Sequence, residues 1–384
     1  MDRRTEPHRR QRLPSVKITV AEGVASLGAV ISFARGAPAP ECIDVPLLAD
    51  CARVAVEEGG AAVLSYGSGG GFGPLREWLA ERHGVEPGRV LVTNGGLQGF
   101  AFYAAEQLAA KPGRVLVEAP TYDRPLKILA DLGVEVVPLS MDEEGLDPDA
   151  LERELANGPV SFLYTIPTFQ NPSGRTLSVE RRRRIAGLAA DHGLAVLEDD
   201  PYGLVRYEGT PPPSLHELEG GALVTYTSSF SKTVAPGVRV GWFVAPEPLA
   251  AALEARAVST YISPPFLTQA TVWELISRGA FEPNLERVKG LLRARRDAML
   301  AALERDLPVG ASFNRPQGGY FLWLDLPGTD TAALLERSTD AGVGFVRGSD
   351  FFPDGSGGAS ARLAFSYETP AKIDEGVALL ASLL

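Results

Sequence analysis

Between residues 89 and 245 the chain alternates short apolar runs with stretches of helical periodicity. The runs at 89–94, 114–120, 134–139, 160–167, 193–199, 222–228 and 238–245 are Val-rich and continuous. They are too short for helices and show no strict polar alternation, as expected of strands covered on both faces. Between them, apolar positions recur every three or four residues over 95–110, 123–132, 148–156 and 178–192, which predicts helices. Such alternation with short connections predicts an α/β fold, a mostly parallel seven-stranded sheet flanked by helices. In such sheets ligands bind beyond the carboxyl ends of the strands. Residues that end these runs therefore have first claim to function.

After about residue 246 the pattern turns helical. The stretch "PNLERVKGLLRARRDAMLAALERD" (283–306) predicts a long amphipathic helix, with Pro283 suited to a helix start. Apolar runs at 318–326, 343–348 and 361–366 follow, with a helix near 330–341 and another at the end of the chain. This predicts a smaller α+β domain. The expected division is a large domain over 48–284 and a small one made of 285–384 and the segment 1–47, which lacks a core of its own.

Composition narrows the function classes. The 384 residues are 45% hydrophobic, enough for a large core. A net charge of −11 argues against nucleic acid as a partner. No apolar run reaches the ~18 residues a membrane span needs. The basic start "MDRRTEPHRRQR" is followed by no apolar stretch with a cleavage site, so it reads as a tail rather than a signal peptide. Two cysteines, Cys42 and Cys51, the latter inside a helical pattern, suit a reduced, cytoplasmic protein. Four histidines, none in ligand spacing, argue against a metal site. The run "RRRR" (181–184) reads as a solvated helix face, and "PPP" (211–213) as a rigid connector.

Three groups of polar residues end predicted strands. Asn171 follows the run 160–167, Asp199 closes the run 193–199, and Ser229, Ser231 and Lys232 follow the run 222–228. One cleft can hold them all. A strand-end carboxylate can pair with a protonated pyridine nitrogen, and a lysine amine can condense with an aldehyde. Serine hydroxyls, Arg239 and the glycine-led helix start "NGGLQG" (94–99) can hold a phosphate dianion. Tyr122 in "APTYD" can stack on a ring. A ring, an aldehyde and a phosphate together describe pyridoxal 5′-phosphate.

The chain resembles the fold-type I pyridoxal-phosphate-dependent aminotransferases of class I/II. It is most similar to the branch with 2-aminoadipate and kynurenine aminotransferases and the effector domains of MocR-type regulators. The motifs that carry the likeness run in order from "ISFARGAP" (31–38) and "LSYGSGGGFGPLREWL" (64–79) through "VTNGGLQG", "VEAPTY", "TIPTFQNPSG", "EDDPYG" and "SSFSKTVAPGVRVGW" to "RPQGGYFLWL" and "ARLAFS". The resemblance implies that Lys232 forms the Schiff base with the cofactor and shuttles the proton between substrate Cα and cofactor C4′. It assigns Asp199, rather than Asp200, to the pyridine nitrogen. It implies that Asn171 and Tyr202 donate to the ring's phenolic oxygen and that Tyr122 stacks on the ring. Ser229, Ser231 and Arg239 form the phosphate clamp, completed by the backbone at Gly95, Gly96 and Leu97. Tyr66 reaches the phosphate of a neighbouring subunit, which implies a homodimer. Arg362 grips the substrate α-carboxylate through a bidentate fork. Asn171 also borders the substrate, and Arg35, from the N-terminal segment, recognises its side chain.

Two departures stand out. Relatives often carry Ser-Gln where this chain has Gly96-Leu97, so a hydroxyl donor is missing and backbone amides must serve. The "GSGGGFG" loop (67–73) is glycine-rich and predicts a mobile rim. The expected activity is transfer of the α-amino group of an amino acid to a 2-oxo acid, with 2-oxoglutarate as the expected acceptor. A β-lyase or decarboxylase would use the same cofactor. A pyridoxal-phosphate-sensing regulator would need a DNA-binding domain ahead of a "SFARGAP" motif that begins near residue 32.

Overall fold

The computed structural model describes residues 31–384; the basic N-terminus read as a tail lies outside the described residues. The predicted strands form one large sheet. In spatial order its strands are Val90–Thr93, Gly241–Val244, Val224–Ser229, Ala195–Asp199, Val160–Thr165, Arg114–Ala119 and Val136–Asp142. From Val224–Ser229 to Val136–Asp142 every pairing is parallel, while Gly241–Val244 runs antiparallel to both its neighbours. An eighth strand of two residues, Gly145–Leu146, pairs antiparallel with the end of Val136–Asp142 and corrects the expected count of seven. A two-residue hairpin arm leaves no periodicity in a sequence.

Helices Gly96–Ala110, Asp123–Asp131, Pro148–Ala156 and Val179–His192 connect these strands. Two apolar clusters cover the sheet, one with Phe100, Tyr103 and Phe162, the other with Leu163, Ile185 and Val196. Double coverage is why the strands read as continuous apolar runs.

This topology gathers the strand ends. Parallel strands finish at one edge with Thr93, Ala119, Thr165, Asp199 and Ser229. The antiparallel strand begins at that same edge, where Gly241 lies opposite both Ser229 and Thr93. Arg239, two residues earlier, is delivered there too. A 3-10 turn over Pro236–Val238 and a left-handed Arg239 (φ 51°) make the reversal that the Pro-Gly pair predicts.

A second sheet is antiparallel, in the order Ser312–Phe313, Phe321–Asp325, Ser360–Ala364, Val346–Arg347. Its core includes Leu322, Leu324, Leu363, Val377 and, from the N-terminal segment, Ile31 and Phe33. Strand Ile31–Ser32 pairs with Val343–Gly344. The long helix spans Phe281–Asp306, and its two ends feed different cores: Leu285 and Leu292 the central one, Met299 and Leu303 that of the second sheet.

The four-arginine run is not a uniform solvated face. Arg182 is among the largest fully buried side chains. Its guanidinium donates to the carbonyls of Leu177 (3.0 Å), Pro167 (2.7 Å) and Pro213 (3.3 Å) and to Thr168 Oγ1 (2.8 Å), and lies 3.5 Å from Glu198. Helical periodicity places one residue of four against the sheet, and the carbonyls there make a charged residue tolerable. Burial pushes Glu198 up to about 7, with Arg182 and the amides of His216 and Leu215 pulling the other way. Arg182→Ala would strip Glu198 of its counter-charge and leave several carbonyls without a donor, and is expected to cost about 3–5 kcal/mol. Urea unfolding at pH 8 would show this as a lowered midpoint, and an unchanged midpoint would refute it.

Candidate active site

A cavity of about 420 Å3 opens at the carboxyl edge of the large sheet. Its lining includes Lys232, Asp199, Tyr202, Asn171, Tyr122 and Arg362, and it extends to Gly96, Leu97, Ser229, Ser231 and Arg239. These residues come from six chain segments, and the sequence reading singled out each of them.

Lys232 follows the strand Val224–Ser229, and Tyr320 Oη holds its backbone carbonyl at 2.9 Å. Its Nζ donates to the carbonyl of Gly36 at 2.8 Å. Burial pulls its pKa down to about 8, the charges of Arg362 and Arg239 add to that, and Asp199 opposes it. A nearby cation does favour the neutral amine, but the larger cause is loss of water.

Asp199 and Asp200 part company here. Asp200 turns away, accepting from the Gly203 amide (2.7 Å) and Tyr226 Oη (3.1 Å), and serves the turn. Asp199 lines the cavity, and its Oδ2 accepts from Tyr164 Oη at 2.8 Å. Burial pushes Asp199 up to about 7; Tyr164 and Lys232 lower it, while Asp200 and Glu118 raise it. A cationic ring nitrogen beside it would restore its charged form.

Arg362 sits on Ser360–Ala364 with Phe321 stacked 4.4 Å from its guanidinium carbon. It donates to Asn171 Oδ1 (2.9 Å) and to the Ala34 carbonyl (2.8 Å), while its Nε is buried without a partner. Five donors with two used leave three for an incoming carboxylate. The contact also occupies the oxygen of Asn171, leaving its Nδ2 to donate elsewhere.

Gly96 opens the helix Gly96–Ala110, whose N-cap Gly95 offers no side-chain acceptor. The free amides and the helix dipole make this end a site for an anion. Gly95 itself does not line the cavity. It has φ 89°, and a Cβ there would lie 2.3 Å from Arg239 Nη2. Gly241 backs the same turn, for a Cβ there would lie 2.7 Å from the Gly96 nitrogen. The donor set therefore fits pyridoxal phosphate: anion donors at Gly96 and Arg239, the half-buried carboxylate of Asp199, the amine of Lys232, and the unpartnered Arg362 Nε line one cavity.

Comparison with known proteins agrees. Residues 44–380 match the family described as Aminotransferase class I and II. The chain belongs to that family. A 2-aminoadipate transaminase of Thermus thermophilus is 37% identical over 360 residues, covering 92% of this chain and 90% of the relative. An aromatic-amino-acid aminotransferase of Thermococcus litoralis is 35% identical over 366 residues, covering 92% and 88%. Among solved structures, an α-aminoadipate aminotransferase from Thermus thermophilus, complexed with N-(5′-phosphopyridoxyl)-L-leucine, matches with a TM-score of 0.88 and 36% identity. That match covers 93% of this chain and 92% of the other.

Besides Gly95, two predicted site residues of this aminotransferase, Tyr66 and Arg35, lie outside its own cavity lining. Tyr66 is 79% exposed. Arg35 is exposed and stacks on Tyr367, 4.2 Å from the ring centroid. It is the carbonyls of Ala34 and Gly36 that meet Arg362 and Lys232, while the Arg35 side chain points out. Phe33 of the same segment is fully buried in the core of the second sheet.

The glycine-rich loop of this aminotransferase is packed rather than loose. Gly69, Gly70 and Gly71 are buried, and a Cβ at each would lie 2.6 Å or less from Val258, Arg76 and Val92 respectively. Close approach, not mobility, accounts for the glycines.

Sequence reasoning missed Gly36, Tyr164, Gly241 and Arg124. Tyr164 sits in an unbroken apolar run and reads as core. Arg124, in the first turn of Asp123–Asp131, lines the cavity and carried no motif that singled it out.

Proposed function

We propose that this aminotransferase carries pyridoxal 5′-phosphate on Lys232 and moves an α-amino group from an L-amino acid to 2-oxoglutarate. The cofactor is pyridoxal 5′-phosphate. When bound, its ring draws electrons from the bonds at substrate Cα, and its aldehyde carbon carries the amino group. The observation that carries the reading is one cavity holding a near-neutral lysine, a half-buried carboxylate and an arginine with free donors.

Lys232 Nζ would take the proton from substrate Cα and return it to the carbon that carries the amino group. Asp199 holds the ring nitrogen's proton. Asn171, through Nδ2, and Tyr202 donate to the phenolic oxygen, and Tyr122 stacks on the ring. Ser229, Ser231, Arg239 and the amides of Gly96 and Leu97 hold the phosphate, with Gly95 allowing the turn. Arg362 grips the α-carboxylate beside Asn171. No polar side chain on the elements so far assigned, Arg35 included, reads the substrate's far end.

The proposed unit is a cytoplasmic homodimer in which Tyr66 reaches the partner's phosphate. Tyr66 (79% exposed), Leu64 (63%), Val258 (47%) and Ile262 (51%) support it, because loop and helix are joined where Gly69 packs on Val258. Both cysteines are free and buried, and among the described residues no helix is long and apolar enough to cross a membrane. The proposed domain division is 48–284 against 1–47 with 285–384. The pairing of Ile31–Ser32 with Val343–Gly344 supports grouping the two terminal parts, and the line at 284/285 falls in the first turn of Phe281–Asp306.

A single-turnover experiment tests the function. Given an amino donor and no acceptor, the holoenzyme is expected to release one 2-oxo acid per site and stop, then resume when 2-oxoglutarate is added. Continued release of pyruvate and ammonia without an acceptor would mean a lyase instead.

A further inference from the structure

The cavity lining includes the first turn of the helix Asp123–Asp131, contributing Asp123, Arg124 and Pro125. Among the charged groups lining the cavity, Lys232, Asp199, Arg239 and Arg362 have partners and roles in the reading above. Arg124 has neither. Its Nε lies 3.7 Å from Asp123 Oδ2, beyond hydrogen-bond reach, and its side chain is 57% exposed. Asp123 has a better partner in Lys127 Nζ, one turn on at 3.0 Å, so its charge is already met from its own helix. The Arg124 guanidinium thus keeps its fork of donors for a ligand.

Position gives that fork a use. A substrate held by its α-carboxylate at Arg362 and by its amino group beside Lys232 has its side chain left to run along the remaining wall. Arg124 is the cation of this lining with no other task, and its charge acts on Tyr122, the residue before its helix. Arg35, the other candidate, is spent on Tyr367. A planar fork suits a carboxylate in a way that an ammonium does not.

We propose that Arg124 is a specificity-determining residue that binds the distal carboxylate of a dicarboxylic amino or 2-oxo acid. This inference rests on the aminotransferase reading. It makes glutamate and 2-oxoglutarate, rather than monocarboxylic acids, the favoured class at this site.

The test compares wild-type holoenzyme with Arg124→Gln and Arg124→Lys. Calorimetric titration with glutarate, an unreactive dicarboxylate, is paired with titration by 4-methylpentanoate, a monocarboxylate of similar length. Glutarate binding is expected to weaken about 10- to 100-fold in Arg124→Gln, as for loss of hydrogen bonds to a charged group, with partial recovery in Arg124→Lys. The 4-methylpentanoate affinity should stay within about twofold, since its apolar end makes no hydrogen bond to lose. The glutamate-to-leucine ratio of kcat/KM should fall in step with glutarate binding. Equal weakening of both acids, or of neither, overturns the proposal while leaving amino transfer intact. If wild-type enzyme releases no oxo acid from any donor, the functional reading fails and this inference fails with it.

Discussion

Lys232→Ala is expected to reduce amino transfer by about four orders of magnitude or more, because one atom, Nζ, serves as covalent anchor and as proton carrier. The cofactor should still bind through its phosphate and ring contacts, so the variant should stay folded and coloured. Borohydride treatment followed by intact-mass measurement separates the two roles. Wild type should gain the mass of one cofactor, whereas the variant should gain none. Methylamine should rescue part of the lost turnover by standing in for Nζ. A variant that keeps a tenth of wild-type activity would remove Lys232 from the mechanism. The depressed pKa adds a pH dependence. Below about pH 8 the amine is mostly protonated, and only the neutral form attacks the aldehyde. The rate at which cofactor-free protein reloads should therefore rise about tenfold per pH unit up to that point and then level off. A rate still rising tenfold per unit above pH 9, as for an ordinary lysine, would contradict the burial argument.

Asp199→Asn should be the next most damaging change, lowering kcat by about 10³-fold, in the range for loss of a positioned proton partner. An amide cannot hold the ring nitrogen's proton by charge, so the ring loses its pull on the electrons at Cα. Asp199→Glu keeps the charge and should retain more activity than the amide. Tyr164 supports the same carboxylate through the 2.8 Å bond to Oδ2. Tyr164→Phe is expected to cost about tenfold, the value of a hydrogen bond to a charged group. It should also move the acidic limb of the kcat/KM profile upward, because the lost donor had been lowering the Asp199 pKa. A purely structural role for Tyr164 would change stability and leave that limb in place.

Most of the candidate site was legible because its residues end strands or open helices, and a chain marks those places with Gly, Pro, Asn and Asp. Asp199, Asn171 and the Ser229–Lys232 stretch follow apolar runs whose ends are clear in the sequence. The Asp199 and Asp200 ambiguity was open to spacing but not to structure, since only one of the two lines the cavity. Contacts made by backbone are what the sequence concealed. The Gly36 carbonyl reaches Lys232 across 196 positions, and no side chain marks it. Arg35, its neighbour, drew attention because it is charged, yet its side chain is exposed and stacks on Tyr367. Gly241 looked like an ordinary strand glycine until the turn at Gly95-Gly96 was seen nested against it. Tyr164 was hidden by its surroundings, since one hydroxyl does not break an apolar pattern.

Arg182 carries a consequence for how this chain can vary. Four identical residues in a row invite the view that the positions are interchangeable and that any of them can be redesigned to adjust surface charge. Arg183 faces outward and Arg184 pairs only with the exposed Asp149 and Glu152, so both should accept a wide range of polar residues. Arg181 is anchored to the Gly145 and Leu146 carbonyls and to Asp142, and should tolerate lysine better than a neutral residue. Arg182 should tolerate nothing else, because it props up the carboxylate beside Asp199. In a library over these four positions, survivors should stay arginine at one of them and drift at the rest.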